Sequence, residues 1–302
     1  MTECERIISN GIVDSDFLKE EVRNEYVISE KMKKVWAIEL DMLKRFDQLC
    51  EEHHLRYWAG FGTLLGAVRH HGFIPWDDDM DLWMPREDYD RLLESDLHLE
   101  GPYFLQTTLN DDDYYSSFAR FRNSNTTGIK VSMNNKCNNG IYIDIYPLDG
   151  IGNNAKFHFL KCKYIRLNNV LAHAYVFNIN PKRIMRLTHD FLHLSYIPYS
   201  YKSAYKRVNR IARKVKWKDA TKVGFVVFDP YHKHKKNIFE KKDFEETKRI
   251  QFENLDIPVP IGYDSVMKTI YGDYMKFPSV EERGKKHTFI FEPDIPYPMF
   301  KK

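Results

Sequence analysis

The stretch from Gly60 to Met84 constrains this chain more than any other part of the sequence. It reads G-F-G-T-L-L-G-A-V-R-H-H-G-F-I-P-W-D-D-D-M-D-L-W-M and carries four acids within five positions, at Asp77, Asp78, Asp79 and Asp81. Apolar residues around Asp81 predict a strand, and strand alternation sends the Asp79 and Asp81 carboxylates to one face of a sheet. Carboxylates so close raise each other's pKa unless a cation lies between them.

A third acid, Asp144, lies between two isoleucines in a run of strong strand formers, I-Y-I-D-I-Y. A carboxylate in such surroundings is costly to bury unless it is paired or coordinated. With Asp79 and Asp81 it makes a three-carboxylate set of the kind that holds Mg²⁺ or Mn²⁺ in phosphoryl and nucleotidyl transfer. Alternatively, Asp144 is the base that takes a proton from an attacking hydroxyl. Gly62 and Thr63 form a small-residue turn that can approach a phosphate.

The order of helical and strand patterns predicts an α+β fold. Residues 27–52 have the apolar spacing of a long amphipathic helix, and a later helix ends near His70, closed by Gly72. We expect a mixed β-sheet core with flanking helices and a basic, mostly helical insert. Residues 1–152 are expected to form a catalytic core with N-terminal helices. Residues 153–222 would form a basic helical block that faces the acceptor or a membrane, and residues 223–302 a β/α segment that completes the active site.

The net charge of +3 hides a strong asymmetry. Between Lys156 and Lys222 there are sixteen Lys and Arg against two acids, a net of about +14, so the rest of the chain is strongly acidic. Solvated helix faces, nucleic-acid binding and an anionic membrane surface are three explanations. The membrane is favoured because basic residues from Arg207 to Lys216 alternate with apolar ones, as in an interfacial helix. No nucleic-acid partner is expected.

Cysteine usage and the first residues favour a cytoplasmic setting. The four cysteines lie far apart without a C-x-x-C pair, which argues against a structural zinc site or a disulfide framework. The opening residues, M-T-E-C-E-R, carry acids and no apolar run, so no signal peptide is predicted.

Several blocks, in the right order, resemble the LicD family of phosphorylcholine transferases, a branch of the nucleotidyltransferase superfamily that includes the fukutin-related proteins. The first is G-T-L-L-G-A-V-R-H-H-G-F-I-P-W-D-D-D-M-D-L. The others are F-A-R-F-R-N-S-N-T (118–126), G-I-Y-I-D-I-Y-P-L-D-G (140–150), F-E-N-L-D-I-P-V-P-I-G-Y-D (252–264) and Y-G-D-Y-M-K-F-P (271–278). The resemblance implies a nucleotidyltransferase-like sheet. The chain lacks the clustered cysteines of the fukutin type, which favours the bacterial choline-type branch.

The resemblance also implies a reaction. A sugar hydroxyl on a cell-surface glycan or its lipid-linked precursor, of teichoic-acid or lipopolysaccharide type, attacks the choline-bearing phosphate of CDP-choline, and CMP leaves. Such an enzyme is expected at the inner face of the cell membrane. Two other functions stay open: a relative that uses another CDP-alcohol such as CDP-ribitol, or one that moves NMP from an NTP. A non-enzymatic module that binds nucleic acid or lipid through the basic block would leave the acids unexplained.

Carried over by position, Asp79, Asp81 and Asp144 would bind the metal, with Asp77 a ligand or its support. The predicted contacts to the donor phosphates and to the acceptor are Gly62, Thr63, Arg69, Arg122 and His287. A choline headgroup would need aromatic rings for cation–π contact, and the candidates are Trp58, Trp76, Trp83, Tyr142 and Tyr146.

Overall fold

The computed structural model describes most of the chain. The described residues are 1–95, 99–130, 136–152, 160–165, 167–168, 200–227, 237–284 and 289–300. All structural statements below concern these ranges. His287, one of the predicted site residues, lies outside them, as does most of the predicted helical block.

Six helices have well-defined bounds within the described residues. They are α1 (Glu3–Ser9), α2 (Glu30–Glu52), α3 (Phe61–His70), α4 (Arg86–Glu94), α5 (Tyr201–Ala212) and α6 (Tyr263–Tyr271). The long helix predicted over 27–52 is confirmed as α2 but begins later, because the hydroxyl of Ser29 caps it by accepting a hydrogen bond from the Met32 N–H at 3.3 Å.

Thirteen strands complete the described secondary structure, most of them short. They are β1 (Glu21–Arg23), β2 (Tyr26–Ile28), β3 (Trp58–Ala59), β4 (Met80–Pro85), β5 (Tyr103–Gln106), β6 (Ala119–Asn123), β7 (Thr127–Lys130), β8 (Ile141–Ile151), β9 (Lys222–Gly224), β10 (Ile238–Glu240), β11 (Thr247–Phe252), β12 (Leu255–Pro260) and β13 (Phe289–Glu292). The predicted α+β class and mixed sheet are confirmed.

Seven of these strands form the central sheet around β8, which pairs with β4 in parallel. On its other side, the first half of β8 pairs with β6, which pairs with β5, and the last residues of β8 pair with β9, which pairs with β10. The short β3 lies antiparallel to β4 at the edge. Because β9 and β10 join this sheet, the C-terminal part of the chain contributes directly to the core.

The central sheet is covered differently on its two faces. Alternation in β8 sends Ile143 to one face, where its neighbour across the ladder, Phe121, packs against Phe46 of α2 with ring centroids 5.6 Å apart. The opposite face carries Asp144 and its flanking tyrosines. Helix α2 therefore buries the apolar face, and the face with the acids is available for chemistry.

The end of α3 differs from its prediction in one detail. The residue in the left-handed conformation is His71, with φ of 55°, rather than Gly72. Gly72 is needed for a close approach instead, because a Cβ there would lie 2.1 Å from the Glu253 carboxylate. That carboxylate also pairs with Arg23 of β1 at 2.5 Å, which ties the N-terminal hairpin to the start of the site.

Helix α5 is the described part of the basic block. Its apolar residues Val208 and Ala212 are buried in a second small core with Ile151 and Ile165, and Trp217 beyond it stacks near Trp58. The apolar side of the predicted interfacial helix is therefore packed inside the protein. The outward side of α5 is basic, because Lys206 and Arg210 are exposed, as is Lys214 just beyond the helix. No helix among the described residues has the length and apolarity to cross a membrane.

Candidate active site

The centre of the site is a row of charged residues across three neighbouring strands. Asp81 of β4 lies directly beside Asp144 of β8 in the parallel ladder, and Asp144 lies directly opposite Arg120 of β6. Residues paired in this way point to the same face with backbones about 4.8 Å apart. Two of the predicted carboxylates are thus adjacent, and an arginine that the sequence did not single out is next to them.

The start of α3 holds Asp81 by its backbone. The Asp81 N–H donates to the Thr63 hydroxyl at 2.8 Å, and the Asp81 carbonyl accepts from the Gly60 N–H at 2.9 Å. Thr63, predicted to contact a phosphate, is therefore the residue that ties the first turn of α3 to the acid-bearing strand. Its position beside Asp81 keeps it at the site.

Three consecutive acids form a compact cluster just before β4. Asp77, Asp78 and Asp79 each have a carboxylate oxygen within 4.8 Å of the others. Gly62 makes room for this arrangement, since a Cβ on Gly62 would lie 2.4 Å from the Asp77 carboxylate. The absence of a side chain at Gly62 thus brings Asp77 to the N-terminal turn of α3, where helix N–H groups favour a negative charge.

Burial and mutual repulsion shape the electrostatics of the acids. The pKa values of Asp79 and Asp81 are raised well above 3.8, first because removal from solvent disfavours the charged carboxylates. The next causes are the charges of Asp77, Asp144 and Asp78 for Asp79, and those of Asp79, Asp144 and Asp77 for Asp81. Such shifts mean that negative charge at this position is under-compensated in the protein alone. A divalent cation would supply the missing compensation.

Asp144 is the acid with defined partners. Its carboxylate accepts from the Arg120 guanidinium at 2.6 Å and from the Tyr146 hydroxyl at 3.2 Å. Arg120 in turn lies over the Tyr142 ring, 4.0 Å from its centroid. The carboxylate, the guanidinium and the two tyrosines fix one another on the sheet face.

Arg122, predicted to contact substrate, lies two residues from Arg120 but deeper. Its side chain is 1% exposed and donates to the Gln106 side chain and to the Gly140 carbonyl, both at 2.5 Å. Burial, followed by the charge of Arg120, lowers its pKa to about 10. The described contacts of Arg122 are therefore internal, and Arg120 is the arginine at the carboxylates.

An aromatic wall closes the site on the side of α3. Phe61, the first residue of that helix, has φ of 35°, an uncommon backbone conformation for a side chain of this size. Its ring is held between Trp83 and Tyr146 in edge-to-face contacts at 5.0 Å and 5.5 Å. Trp83 and Tyr146 lie two residues beyond Asp81 and Asp144 on the same strands, so alternation places these rings on the sheet face that carries the acids.

Glu39 is a further buried acid that the sequence did not indicate. It belongs to α2 and is 1% exposed, and its pKa is raised well above 4.5 by burial and then by the charges of Asp79 and Asp78. In the sequence it is one acid in an amphipathic helix, a pattern that usually indicates a solvated position.

A cavity of about 640 Å³ opens from the acid cluster. Its lining joins Gly62 and Asp77, at the acids, to Arg69 and Trp76 and then to the C-terminal stretch from Tyr271 to Gly284. The size is within the range of sites for small organic ligands. Four of the predicted site residues thus line one cavity, whose far wall comes from almost two hundred residues further along the chain.

The far wall combines cations with aromatic rings. The Arg69 guanidinium donates to the Tyr274 carbonyl at 2.8 Å and lies 4.9 Å from the centroid of the Phe277 ring. The Arg283 guanidinium lies 4.7 Å from the centroid of the Trp76 ring. No carboxylate among the described residues forms an ion pair with Arg69, so its charge is available to an anion.

The aromatic candidates for a choline site lie in two different environments. Trp58, Trp83, Tyr142 and Tyr146 are buried in the core or beneath the acids, whereas Trp76 lines the cavity. Tyr271 and Phe277 line it as well and were not among the candidates. They are distant from Trp76 in sequence, and only the fold brings them together.

Comparison with known proteins agrees with this geometry. The family described as LicD/FKTN/FKRP, nucleotidyltransferase domain, matches residues 54–181, which include the acids, Thr63 and Arg120. Across 258 residues, the chain is 28% identical to the lipopolysaccharide cholinephosphotransferase LicD of Haemophilus influenzae, a match that covers 82% of this chain and 92% of that protein. Shorter matches to uncharacterized proteins are found in Rickettsia typhi (45% over 64 residues, 21% of this chain and 19% of that protein) and Rickettsia prowazekii (42% over 72 residues, 24% and 26%).

The mixed sheet with its paired acid-bearing strands defines an α+β protein of nucleotidyltransferase type. Within that class, the matched domain and the nearly full-length similarity to the Haemophilus protein identify the group more closely. By these two matches the chain is similar to the LicD family.

Proposed function

We propose that this protein transfers phosphocholine from CDP-choline to a sugar hydroxyl of a cell-surface glycan precursor and releases CMP. The match of residues 54–181 to a nucleotidyltransferase-domain family and the similarity to a protein named as a lipopolysaccharide cholinephosphotransferase support the reaction class. The acceptor would be of lipopolysaccharide or teichoic-acid type. Beyond this reaction class, we propose specifically that CDP-choline is the donor.

The observation that carries the proposal is the composition of the cavity along its length. At one end is Asp77 of the acid cluster, and further along are the Arg69 guanidinium and the rings of Trp76 and Phe277. A nucleoside diphosphate ester has a diphosphate that matches a cation and an arginine, and a choline group that matches aromatic rings. The Trp76 and Phe277 rings already contact the guanidinium groups of Arg283 and Arg69, which is the kind of cation–π contact that a choline group would make.

The acid cluster fits a divalent cation. Carboxylate oxygens are the ligands that Mg²⁺ and Mn²⁺ prefer, and the donor set here consists of carboxylates that repel one another. Asp79, Asp81 and Asp144 are the proposed ligands, with Asp77 beside them. When bound, the ion would neutralise charge on the transferred phosphate.

The remaining tasks belong to the protein's own side chains. The sugar oxygen forms a bond to the phosphorus that bears choline, the bond from that phosphorus to the CMP oxygen breaks, and CMP leaves with the bonding electrons. The hydroxyl proton passes to a carboxylate, for which Asp144 is the candidate if it is not the third ligand. Arg120, fixed beside Asp144, is the group placed to balance negative charge on the transferred phosphate.

The decisive test is CMP release from CDP-choline with Mg²⁺, compared with CDP-ribitol, CDP-ethanolamine and CTP. We expect CMP from CDP-choline, loss of the signal with a chelator, and no pyrophosphate from CTP. Trp76→Ala and Phe277→Ala should each raise KM for CDP-choline about tenfold, the size of a lost cation–π contact. Pyrophosphate release from CTP without CMP release from any CDP-alcohol would replace the proposal with nucleotidyl transfer.

Attachment to the inner face of the cell membrane is the second part of the proposal. Lys206, Arg210 and Lys214 recur every four residues along α5 and just beyond it, so they form one exposed basic stripe. Because the apolar side of α5 is packed inside, the attraction would be electrostatic and directed at anionic lipids. A lipid-linked acceptor would be met at that surface.

Vesicle sedimentation tests the membrane contact. Wild type should bind phosphatidylglycerol vesicles and not phosphatidylcholine vesicles, and binding should weaken with salt. Replacing Lys206, Arg210 and Lys214 by Glu should abolish binding. The matched control replaces three exposed lysines elsewhere, Lys242, Lys248 and Lys268, by Glu; equal loss in both variants would refute a specific stripe.

A further inference from the structure

His70 is a half-buried residue beside the cavity, and the reaction described above gives it no role. It is the last residue of α3 and follows Arg69, which lines the cavity. The Nε–H of Arg69 donates to the Nε2 atom of His70 at 3.0 Å, and the Nδ1 atom of His70 lies 3.1 Å from the side-chain oxygen of Asn24. The imidazole therefore joins the turn of the β1–β2 hairpin to the arginine at the cavity.

These two contacts define the protonation state of the imidazole. A guanidinium can only donate hydrogen bonds, so Nε2 of His70 must carry a lone pair, and the ring proton must be on Nδ1. Nδ1 then donates to the side-chain oxygen of Asn24. Burial, followed by the charge of Arg69, lowers the pKa of His70 to about 4, which agrees with a neutral ring near pH 7.

The hydrogen bonds of Arg69 to described residues all go to uncharged acceptors. Besides the imidazole, the guanidinium donates from Nη1 to the backbone carbonyls of Tyr274 and Lys276, at 2.8 Å and 3.3 Å. Two of its three nitrogens are thus held, and Nη2 has no hydrogen-bond partner in the part of the chain that the structure describes. Neutral acceptors orient the guanidinium without cancelling its charge, so the charge stays available to an anion.

A nearby arginine shows the alternative arrangement. Arg23 of the hairpin is held by the Glu253 carboxylate at 2.5 Å. A carboxylate in the place of His70 would hold Arg69 equally well, but it would neutralise the guanidinium and repel an approaching phosphate. Arg122 also has neutral acceptors, but it is 1% exposed, whereas Arg69 lines the cavity. An arginine that is held by neutral groups at a cavity wall is suited to an anionic ligand.

The ring of His70 also packs against the aromatic side chains of the far wall. It stacks on the Phe277 ring, with centroids 5.3 Å apart and planes 12° apart, and meets the Trp76 ring edge to face at 5.8 Å. Both partners line the cavity. The imidazole is therefore held on its faces and edge by rings, which keeps Nε2 in place for Arg69.

We propose that His70 is a positioning residue for the donor diphosphate: its neutral imidazole holds Arg69 in the orientation in which the uncompensated guanidinium charge meets the diphosphate. The inference rests on the proposed function, which supplies a nucleoside diphosphate ester as the ligand. It adds a residue to which neither the sequence pattern nor the resemblance assigned a role. The ligand class is an organic diphosphate, which a guanidinium binds through charge-assisted hydrogen bonds.

The experiment measures the binding of CDP and of CDP-choline to the full chain, with Mg²⁺ present, by calorimetry. His70→Phe keeps a ring that can stack on Phe277 and removes the acceptor, whereas His70→Gln restores an acceptor without the ring. We expect His70→Phe to weaken the binding of both ligands by about tenfold, the loss expected for one hydrogen bond to a charged group. His70→Gln should recover most of the affinity.

A double-mutant cycle tests whether His70 acts through Arg69. Arg69→Ala alone should weaken CDP binding at least as much as His70→Phe does. Adding His70→Phe to Arg69→Ala should cause no further loss, because the partner that the imidazole positions is already gone. The matched control is His71→Asn, at an exposed neighbour whose left-handed backbone asparagine tolerates, and its affinity for CDP should equal that of wild type.

The possible results distinguish the role of His70 from the proposed function. If wild type binds neither CDP nor CDP-choline, the donor class and the role of His70 are both refuted. If wild type binds CDP and His70→Phe binds it equally well, the proposed function stands and the role of His70 is wrong. Additive losses in the double variant, or a loss for CDP-choline without one for CDP, would also contradict this role, since His70 would then act independently of Arg69. Failure of His70→Gln to recover affinity would do the same.

Discussion

Strand β8 carries two buried aspartates, Asp144 and Asp149, whose surroundings are opposite in kind. Asp149 is fully buried and pairs with the Arg86 guanidinium at 2.7 Å, while Arg86 also donates to the Asn209 side chain at 2.9 Å. At Asp144 the arginine partner among the described residues is Arg120, and the carboxylates of Asp79 and Asp81 lie nearby. One end of the strand has its charges matched, and the other has negative charge in excess.

The difference teaches how to separate structural from functional charge in this fold. A matched pair such as Arg86–Asp149 links α4, β8 and, through Asn209, α5, so its task is to join elements. The excess of acids at Asp144 destabilises the metal-free protein, because Asp79 and Asp81 have raised pKa values. Excess charge is retained where a ligand of opposite charge is to be bound.

The largest effect should come from Asp81→Asn. Removing one carboxylate from the row should lower the rate of CMP release about 10³-fold, since both cation binding and charge balance at the phosphate are lost. The metal-free melting temperature should stay level or rise, because a repelling charge is gone. Activity and thermal unfolding of the same preparation check both halves, and retained activity would remove Asp81 from the chemistry.

Asp149→Asn should have the opposite effects, with lower stability and nearly unchanged activity. Breaking the buried pair leaves the Arg86 guanidinium with only the more distant Asp90 carboxylate, 3.6 Å away, among the described residues, and should cost about 3 kcal/mol in the free energy of unfolding. The rate per folded molecule should be close to wild type, since neither Arg86 nor Asp149 lines the cavity. Urea denaturation measures the free energy of unfolding. A large loss of activity in fully folded Asp149→Asn protein would contradict a purely structural role for this pair.

Arg120→Lys sharpens the assignment of the two neighbouring arginines. Lysine keeps the charge but not the two-point geometry on Asp144, so kcat should fall about 10²-fold with little change in stability. Arg122→Lys should do the reverse, lowering stability through its lost hydrogen bonds to Gln106 and Gly140. Equal behaviour of the two variants would show that the sheet register does not separate their roles.

The smallest effect is a pH dependence of stability. The folded-state pKa of Asp79 and Asp81 is raised above the unfolded value near 3.8, so the native state binds more protons and stability falls as pH rises from 3.8 through the raised folded value. The metal-free protein should therefore melt a few degrees higher at about pH 5 than at about pH 7. Saturating Mg²⁺ should flatten or invert this slope, and a slope unchanged by Mg²⁺ would contradict the account.

Part of this site could be predicted from local sequence. Asp81 and Asp144 both lie in strong strand patterns with apolar neighbours, so their placement on one sheet followed from alternation. Gly62 was singled out for closeness to a phosphate, and the structure shows it close to the Asp77 carboxylate.

The rest depended on contacts that no local pattern encodes. Whether Arg120 or Arg122 meets the acids is decided by the β6–β8 register and by depth, since alternation gives both the same face. The β1–β2 hairpin was missed because its turn uses Asn24 and Glu25 with positive φ, and glutamate is a weak signal for such a turn. The apolar residues of α5 matched an interfacial helix and a packed one equally well.

The central claim is that the excess acids at the Asp144 end of β8 bind a divalent cation. Anomalous diffraction from crystals soaked in Mn²⁺ tests it most directly. The account predicts a strong peak within ligand distance, about 2.2 Å, of carboxylate oxygens drawn from Asp79, Asp81 and Asp144, and none at Asp149. A crystal with Mn²⁺ bound only elsewhere, and with the acids bare, would contradict it.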